Sequence, residues 1–284
     1  MVKRAAAAVK AVRATRSQTA AHALQGGNYR FPPVSGQVTM NTHFGKEMYR
    51  LASLPDTRLV LELGTWNGGG SSLCIGKGLK DSGSGFLFTM EAVEDKWLQA
   101  GNTLRDLPVK TILGSAVEAG DISPIQEIVN GGGLPGINPK EWPKWWAGEL
   151  ELSESYMVPH LGELCKRMPF DLIVLDAAEF YGPAEYHETM AHCKSAKYVA
   201  LHDAKMWKNR KPKARMLEDP AWKLISDDKL QYPTASYVCP ALSLRSFISN
   251  IHACSAAAPD MRFIYRGPPD ISDSSAGWAI FERV

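Results

Sequence analysis

Glu62, Glu91, Ser115, Asp176 and Asp203 share one feature: each ends an apolar run or lies just beyond one. The first run, Leu59-Val-Leu61, passes through Glu62 into Gly64-Thr-Trp-Asn-Gly-Gly-Gly70 and then into Ser71-Ser-Leu-Cys-Ile75. That order reads as a buried strand, a glycine loop and the start of a helix. Glycine lets a backbone approach a ligand closely and take positive φ. A helix start offers unpaired N–H groups. The spacing is not the G-x-G-x-x-G of a dinucleotide-binding turn. Gly64 is followed by three other residues before Gly68, and an acid stands two residues ahead of Gly64. Glu62, Gly64, Asn67, Gly68 and Ser72 are the candidates on this corner, with Trp66 and Ser71 lining the same loop. Glu62 could receive N–H or ammonium groups of a ligand, or cap the turn. Glu91 closes the next apolar run, where a carboxylate could accept a pair of ligand hydroxyls or serve a helix start through the macrodipole.

A second group gathers further along. Phe170-Asp-Leu-Ile-Val-Leu-Asp176 is followed by Glu179 and Tyr181, and Tyr198-Val-Ala-Leu-His-Asp203 by Lys205. Asp176, Glu179, His202 and Asp203 bring three acids and a histidine to the ends of two strands. Such clusters shift one another's pKa values and often carry proton transfer. The run Lys205-Met-Trp-Lys-Asn-Arg-Lys-Pro-Lys-Ala-Arg215 is basic. It reads as a solvated face, or as a contact for an anionic substrate or an RNA phosphate. Trp142, Trp145 and Trp146 could stack on a sugar or aromatic ligand, or pack an insertion.

The elements that must position these residues are legible in the patterning. Residues 42–54 have helical spacing, with Phe44, Met48, Leu51 and Leu54 on one face. Strands are expected at 59–63, 86–90, 109–113, 170–176, 198–203, 222–225 and 277–281. A helix is expected from the glycine loop to about Leu79, and another around Trp97 and Leu104. Alternating strands and helices imply a parallel sheet with crossover helices. Ligands of such sheets sit outside the carboxyl ends of the strands, where the candidate residues fall. Residues 116–160 and 230–275 break the alternation and are long enough to serve as lids or binding walls.

The chain has 284 residues, 45% hydrophobic and 22% charged, with a formal charge of +2. Those values fit a globular protein and imply no polyanion partner. No apolar run is long enough for a membrane span. The five cysteines are odd in number and lack a C-x-x-C, which argues against a disulfide framework or zinc site and for a reducing compartment. Residues 1–36 form an arm with no acid and with Lys3, Arg4, Lys10, Arg13 and Arg16 in an Ala-rich stretch. Its character is that of an organelle transit peptide, a basic arm or a frayed helix. Localisation is therefore expected to be cytoplasmic, or an organelle matrix if the arm is a transit peptide.

On these residues the chain resembles the class I S-adenosylmethionine (SAM)-dependent methyltransferases, nearest their catechol O-methyltransferase-like and metal-dependent sugar O-methyltransferase branch. Leu61-Glu-Leu-Gly-Thr-Trp-Asn-Gly68 is similar to the first SAM motif, of E-x-G-x-x-x-G form. Phe88-Thr-Met-Glu91 is similar to the second, Gly114-Ser115 to the adenine-side motif, and Phe170–Asp176 to the fourth; Gly277-Trp-Ala-Ile-Phe281 resembles the final strand. The resemblance implies an α/β, Rossmann-like doubly wound sheet, mostly parallel with an antiparallel last strand, carrying the two long insertions in a domain spanning 37–284. It implies SAM as cofactor, with Glu91 on the ribose and Ser115 beside the adenine. It also implies that Asp176 and Asp203 bind a divalent cation, usually Mg²⁺, through the oxygen ligands such ions prefer; the alternative is that Asp176 is a cofactor-binding residue touching SAM and Asp203 caps a helix. The family places its general base, Lys or His, three residues after the first aspartate, where this chain has Glu179. Where the family has Asp-Asn or Glu-Asp, this chain has His202-Asp203-Ala204. Glu179, Asp176 and His202 are thus the catalytic candidates, with Lys205 and Tyr181 as alternatives for the base. The expected activity is O-methylation of a hydroxyl on a small molecule or glycan. Methylation of RNA or protein is a second reading, and a methyltransferase-like subunit without catalysis a third. Homo-oligomerisation stays open.

Overall fold

The computed structural model describes residues 38–131, 138–155, 161–228 and 277–284. Helix α1 (His43–Ala52) precedes strand β1 (Leu59–Leu63), helix α2 (Ser71–Ser82), β2 (Phe86–Glu91), α3 (Glu94–Thr103) and β3 (Val109–Leu113). Three helices follow: α4 (Ile125–Asn130), α5 (Trp142–Ser155) and α6 (Leu161–Arg167). Then come β4 (Leu172–Leu175), α7 (Gly182–His192), β5 (Tyr198–His202), α8 (Trp207–Glu218), β6 (Trp222–Asp227) and β7 (Trp278–Arg283).

The strands form one sheet in the order β3-β2-β1-β4-β5-β7-β6. β7 runs antiparallel to both β5 and β6, and the other pairings are parallel. The mostly parallel sheet with an antiparallel last strand is thus observed. The strand order reverses between β1 and β4, which opens a crevice at their carboxyl ends.

Local sequence explains the central strands. β4 and β5 are buried along their whole length and read as continuous apolar runs, because helices cover both faces. Leu61, Leu63, Ile173 and Leu201 face one core, with Phe170 and Phe281. Val60, Leu172, Val174 and Ala200 face the other, with Phe44, Met48 and Leu51 of α1. Helix α1 starts where the Thr42 hydroxyl accepts from Gly45 N–H.

Some extents differ from expectation. β4 is the inner part of the 170–176 run, because Phe170 packs in the core before the ladder begins. α2 continues to Ser82, where Gly83 takes a left-handed C-cap. β6 and β7 continue beyond 225 and 281, because they pair with each other through a bulge. The described part of 116–160 is largely helical, not open loop. The arm and the 230–275 insertion lie outside the described residues.

The cysteine expectation is corrected: Cys165 at the end of α6 and Cys193 just after α7 form a disulfide, with Cα atoms 4.7 Å apart. Packing of α6 on α7 brings together two residues far apart in sequence, which cysteine spacing alone does not reveal. Cys74 is free and buried.

Candidate functional site

The crevice has two halves, one built on β1, β2 and β3 and the other on β4 and β5. In the first half Gly64 takes φ 99°. A side chain there would place its Cβ 2.6 Å from the Asp176 carbonyl carbon and 2.8 Å from Ala177 Cα. Glycine at 64 is therefore what lets the tips of β1 and β4 touch. Gly68, at φ 78°, likewise lies against Ala100 of α3 and Leu104 at its C-cap. Asn67 Oδ1 accepts from Gly69 N–H at 2.9 Å, which holds the turn that leads into α2. Gly70 is the N-cap of α2 and supplies no side-chain cap.

Glu91, at the tip of β2, accepts Trp66 N–H at 2.6 Å on Oε2 and Val93 N–H at 2.9 Å on Oε1. Its pKa is raised by burial, partly offset by those N–H groups. Trp66 has φ 52°, a value unusual outside glycine, and is exposed, with the Lys96 ammonium 4.3 Å from its ring centroid. Ser115 lies just past β3, half-buried, and its hydroxyl donates to Val117 O at 3.0 Å. Glu62 is wholly enclosed. Its Oε2 accepts from the Ser72 hydroxyl and, at 2.7 Å, from the Thr89 hydroxyl. Glu62 therefore acts on the loop through Ser72, tying the start of α2 to β1 and β2.

The second half gathers Asp176, His202 and Asp203. His202 Nδ1 lies 2.9 Å from Asp176 Oδ1 and 3.6 Å from Asp203 Oδ2. The His202 ring packs against Phe44, with centroids 5.0 Å apart. Asp203 has φ 51°, the left-handed conformation that aspartate tolerates better than most residues. Burial alone would raise the Asp176 pKa, but His202 and Lys208 outweigh it and hold the carboxyl at about 2. Burial pulls the His202 pKa down, and Asp176 and Asp203 more than reverse that.

Glu179 is placed differently. Its Oε1 accepts Lys208 N–H at 3.2 Å, so the carboxylate caps the first turn of α8. The backbone N–H groups of Glu179 and Phe180 each donate at 2.9 Å to the Glu149 carboxylate of α5. Tyr181 donates through its hydroxyl to Ala119 O at 3.4 Å.

Four residues at this end were not singled out from the sequence. Lys208 Nζ lies 2.8 Å from Asp176 Oδ1 and 3.0 Å from Asp203 Oδ2. Asn209 Nδ2 donates to Leu175 O at 2.9 Å and His202 O at 2.6 Å, joining the tips of β4 and β5. Glu149 and Glu185 are buried acids facing the same charges. Helical spacing held a signal for three of them. Lys208 shares a buried stripe with Pro212 and Met216, Glu185 one with Gly182 and Thr189, and Glu149 follows Trp142 by two turns and Trp146 by one.

The basic run is largely neutralised. Lys213 pairs with Asp227 at 3.0 Å, Lys205 with Asp228, and Arg210 donates to Gly131 O at 2.7 Å. Trp142 packs with Ile128, Phe180 and Trp207, and Trp146 donates to Ser123 O at 2.9 Å. Trp145 stays 39% exposed, and so is the one of the three open to a ligand. It lines an open groove of about 630 Å³ with Glu141, Lys144, Gly148, Glu149 and Leu152.

Burial dominates three carboxyls: it pushes Glu62 up to about 7, Glu149 to about 7 and Glu185 to about 8. Each is raised above its unfolded value, so the folded chain keeps protons that the unfolded chain releases. Stability is therefore highest at low pH within this window and falls as pH rises from about 4.5 towards 8. Asp176 acts oppositely, but only as pH falls below about 4. Calorimetric scans are expected to show Tm lower at pH 8.5 than at pH 5.5 by on the order of 5 °C. Glu185→Gln should flatten that slope. A Tm that rises over the same interval would contradict the burial of these acids as protonatable groups.

No protein-family model matches the chain, and no curated protein does. Among solved structures, the chain is similar to the O-methyltransferase from Bacillus cereus in complex with SAH, at 17% identity over 74% of this chain and 80% of that one, with TM-score 0.41. It is similar to a methyltransferase from Geobacter sulfurreducens at 14% identity, over 78% and 81% of the two chains, with TM-score 0.40. An O-methyltransferase of tomaymycin synthesis from Streptomyces achromogenes, in complex with SAM, has 16% identity over 84% and 78%, with TM-score 0.36. At these identities and TM-scores the residues of the site, not the likeness, bear on function.

Proposed function

We propose that the protein is a SAM-dependent methyltransferase that methylates a hydroxyl of a small molecule or glycan. One observation carries the reading: the glycine loop and Glu91 stand at the tips of β1 and β2, directly across the β1/β4 reversal from the Asp176/His202 pair. A donor site and a proton-accepting site thus share one crevice.

The residues present fit SAM. Gly64 and Gly70 are half-buried at the two ends of the loop, and Gly70 as N-cap supplies no side-chain cap to α2. Glu91 has both oxygens fixed by backbone N–H groups, and a carboxylate oxygen retains a lone pair for a ribose hydroxyl. Ser115 stands past the next strand tip, on the adenine side. When bound, SAM supplies an electrophilic methyl group. The chain's part is to orient the acceptor and take its proton. His202 is the preferred base. Asp176 holds Nδ1, which leaves Nε2 to accept a proton from the acceptor hydroxyl, the division of labour of an aspartate-oriented histidine. Glu179 is less suited, because its carboxylate is committed to the start of α8. Trp145 and the groove along α5 supply an acceptor wall that reaches Glu149 and the loop after β4. Pairing of Lys205, Lys208 and Lys213 with aspartates favours a small acceptor over RNA. No described helix is long and apolar enough to cross a membrane.

Calorimetric titration of SAM tests the donor half. Glu91→Ala is expected to weaken binding by about 1.5–3 kcal/mol, the scale of hydrogen bonds to a charged group. Unchanged affinity in a folded variant would remove Glu91 from the ribose. Tight NAD binding with no SAM binding would overturn the whole reading.

A further inference from the structure

Asp176, His202 and Asp203 offer ligand atoms that lie within 4.8 Å of one another, and by donor type they suit a divalent cation. The space between the two carboxylates belongs to another cation, however. Lys208 Nζ lies 2.8 Å from Asp176 Oδ1, 3.0 Å from Asp203 Oδ2 and 3.2 Å from Ala177 O. Three oxygens match the three N–H bonds of an ammonium. The side chain is 7% exposed, so water does not substitute for these partners. A divalent ion between the same carboxylates would sit against a buried positive charge, and like charges in such surroundings repel strongly. The donor atoms alone would suit a metal, but the space between them is occupied, so the centre does not fit a metal as the resemblance implied.

Nor is the ammonium on a free tether. The next residue, Asn209, bonds the carbonyls at the tips of β4 and β5. Glu179 holds the Lys208 N–H. On the far side Gly182 leaves room for the Lys208 backbone, since a Cβ there would come 2.6 Å from Lys208 O. The start of α8 is pinned on three sides, and the lysine side chain runs from it into the carboxylate pair.

We propose that Lys208 is a built-in cation: its ammonium takes the position of a divalent metal between Asp176 and Asp203, so the centre assembles without one. Lys208 is then a positioning residue, which holds Asp176 where it pairs with His202. The consequence for catalysis rests on the methyltransferase reading. The exclusion of metal does not, and it is measured without SAM or acceptor.

The test is Mn²⁺ titration of the full chain, with free ion followed by electron paramagnetic resonance. Wild type is expected to take up no stoichiometric Mn²⁺ up to about 1 mM, the weak end of protein divalent sites. Lys208→Ala should gain one Mn²⁺ per chain, at least about 10-fold tighter than wild type, as a vacated two-carboxylate site would bind an oxygen-seeking ion. Adding Asp203→Asn should abolish the gain. A purely structural lysine would give no such gain. Wild-type uptake of one Mn²⁺ that Asp203→Asn removes would overturn the proposal. So would a folded Lys208→Ala that binds none. If Lys208→Ala fails to fold, Lys208→Met takes its place, and the wild-type titration decides the exclusion by itself.

Discussion

His202→Gln is expected to slow methyl transfer by about 10²–10⁴-fold while SAM affinity stays within about twofold of wild type, the range for loss of a positioned general base. The two halves of the crevice explain the separation. His202 ends β5 and touches Asp176 and Phe44, whereas the glycine loop and Glu91 sit on β1 and β2. Glutamine keeps a polar group near Asp176 but cannot take a proton from a hydroxyl. The measurement is transfer of a labelled methyl group from SAM to an acceptor found by screening hydroxylated small molecules, with SAM binding followed in parallel. Full turnover in His202→Gln together with lost turnover in Glu179→Gln would move the base to Glu179. A joint fall in turnover and SAM affinity would mean that the two halves are not separable as described.

Gly64→Ala is expected to destabilise the fold by about 3 kcal/mol or more and to abolish SAM binding. Two costs add at this position. The backbone has φ 99°, which a side chain opposes. The new Cβ would also meet the Asp176 carbonyl carbon at 2.6 Å and Ala177 Cα at 2.8 Å, both backbone atoms that cannot rotate away. Relief requires the tips of β1 and β4 to part, and those tips carry the donor loop on one side and Asp176 on the other. Gly120→Ala is the control, because a Cβ there meets nothing within 4 Å. Thermal unfolding and SAM titration of the two variants check the expectation. A Gly64→Ala protein with wild-type Tm would mean that the strand tips do not touch.

Much of the framework was legible in the residues. The apolar runs at Leu59–Leu63 and Val109–Leu113 became strands with those bounds. The helix face of Phe44, Met48 and Leu51 is buried as its spacing implied. Glu91, Asp176 and Asp203 all stand at strand ends, since an apolar run that stops at an acid marks where a buried strand leaves the core. These are local signals: burial of apolar side chains imposes a period, and the period is written in neighbouring residues.

The charged part of the site was not written that way. The run from Lys205 to Arg215 shows a basic face, yet Lys208 is among its buried residues, and its partners lie at 176, 177 and 203. Glu149 was one of three acids on its helix, and only docking of α5 turns it onto the N–H groups of Glu179 and Phe180. Glu179 looked free for proton transfer until α8 placed an N–H against it. The Cys165/Cys193 pair likewise depends on how α6 meets α7. Taking a charge out of water is favourable only if opposite charges and hydrogen-bond partners are waiting for it. For Lys208 those partners come from the ends of two strands and the loop after β4. The sequence by itself could determine the strands and the acids at their tips. Only the tertiary structure could decide that a lysine lies between two of those acids.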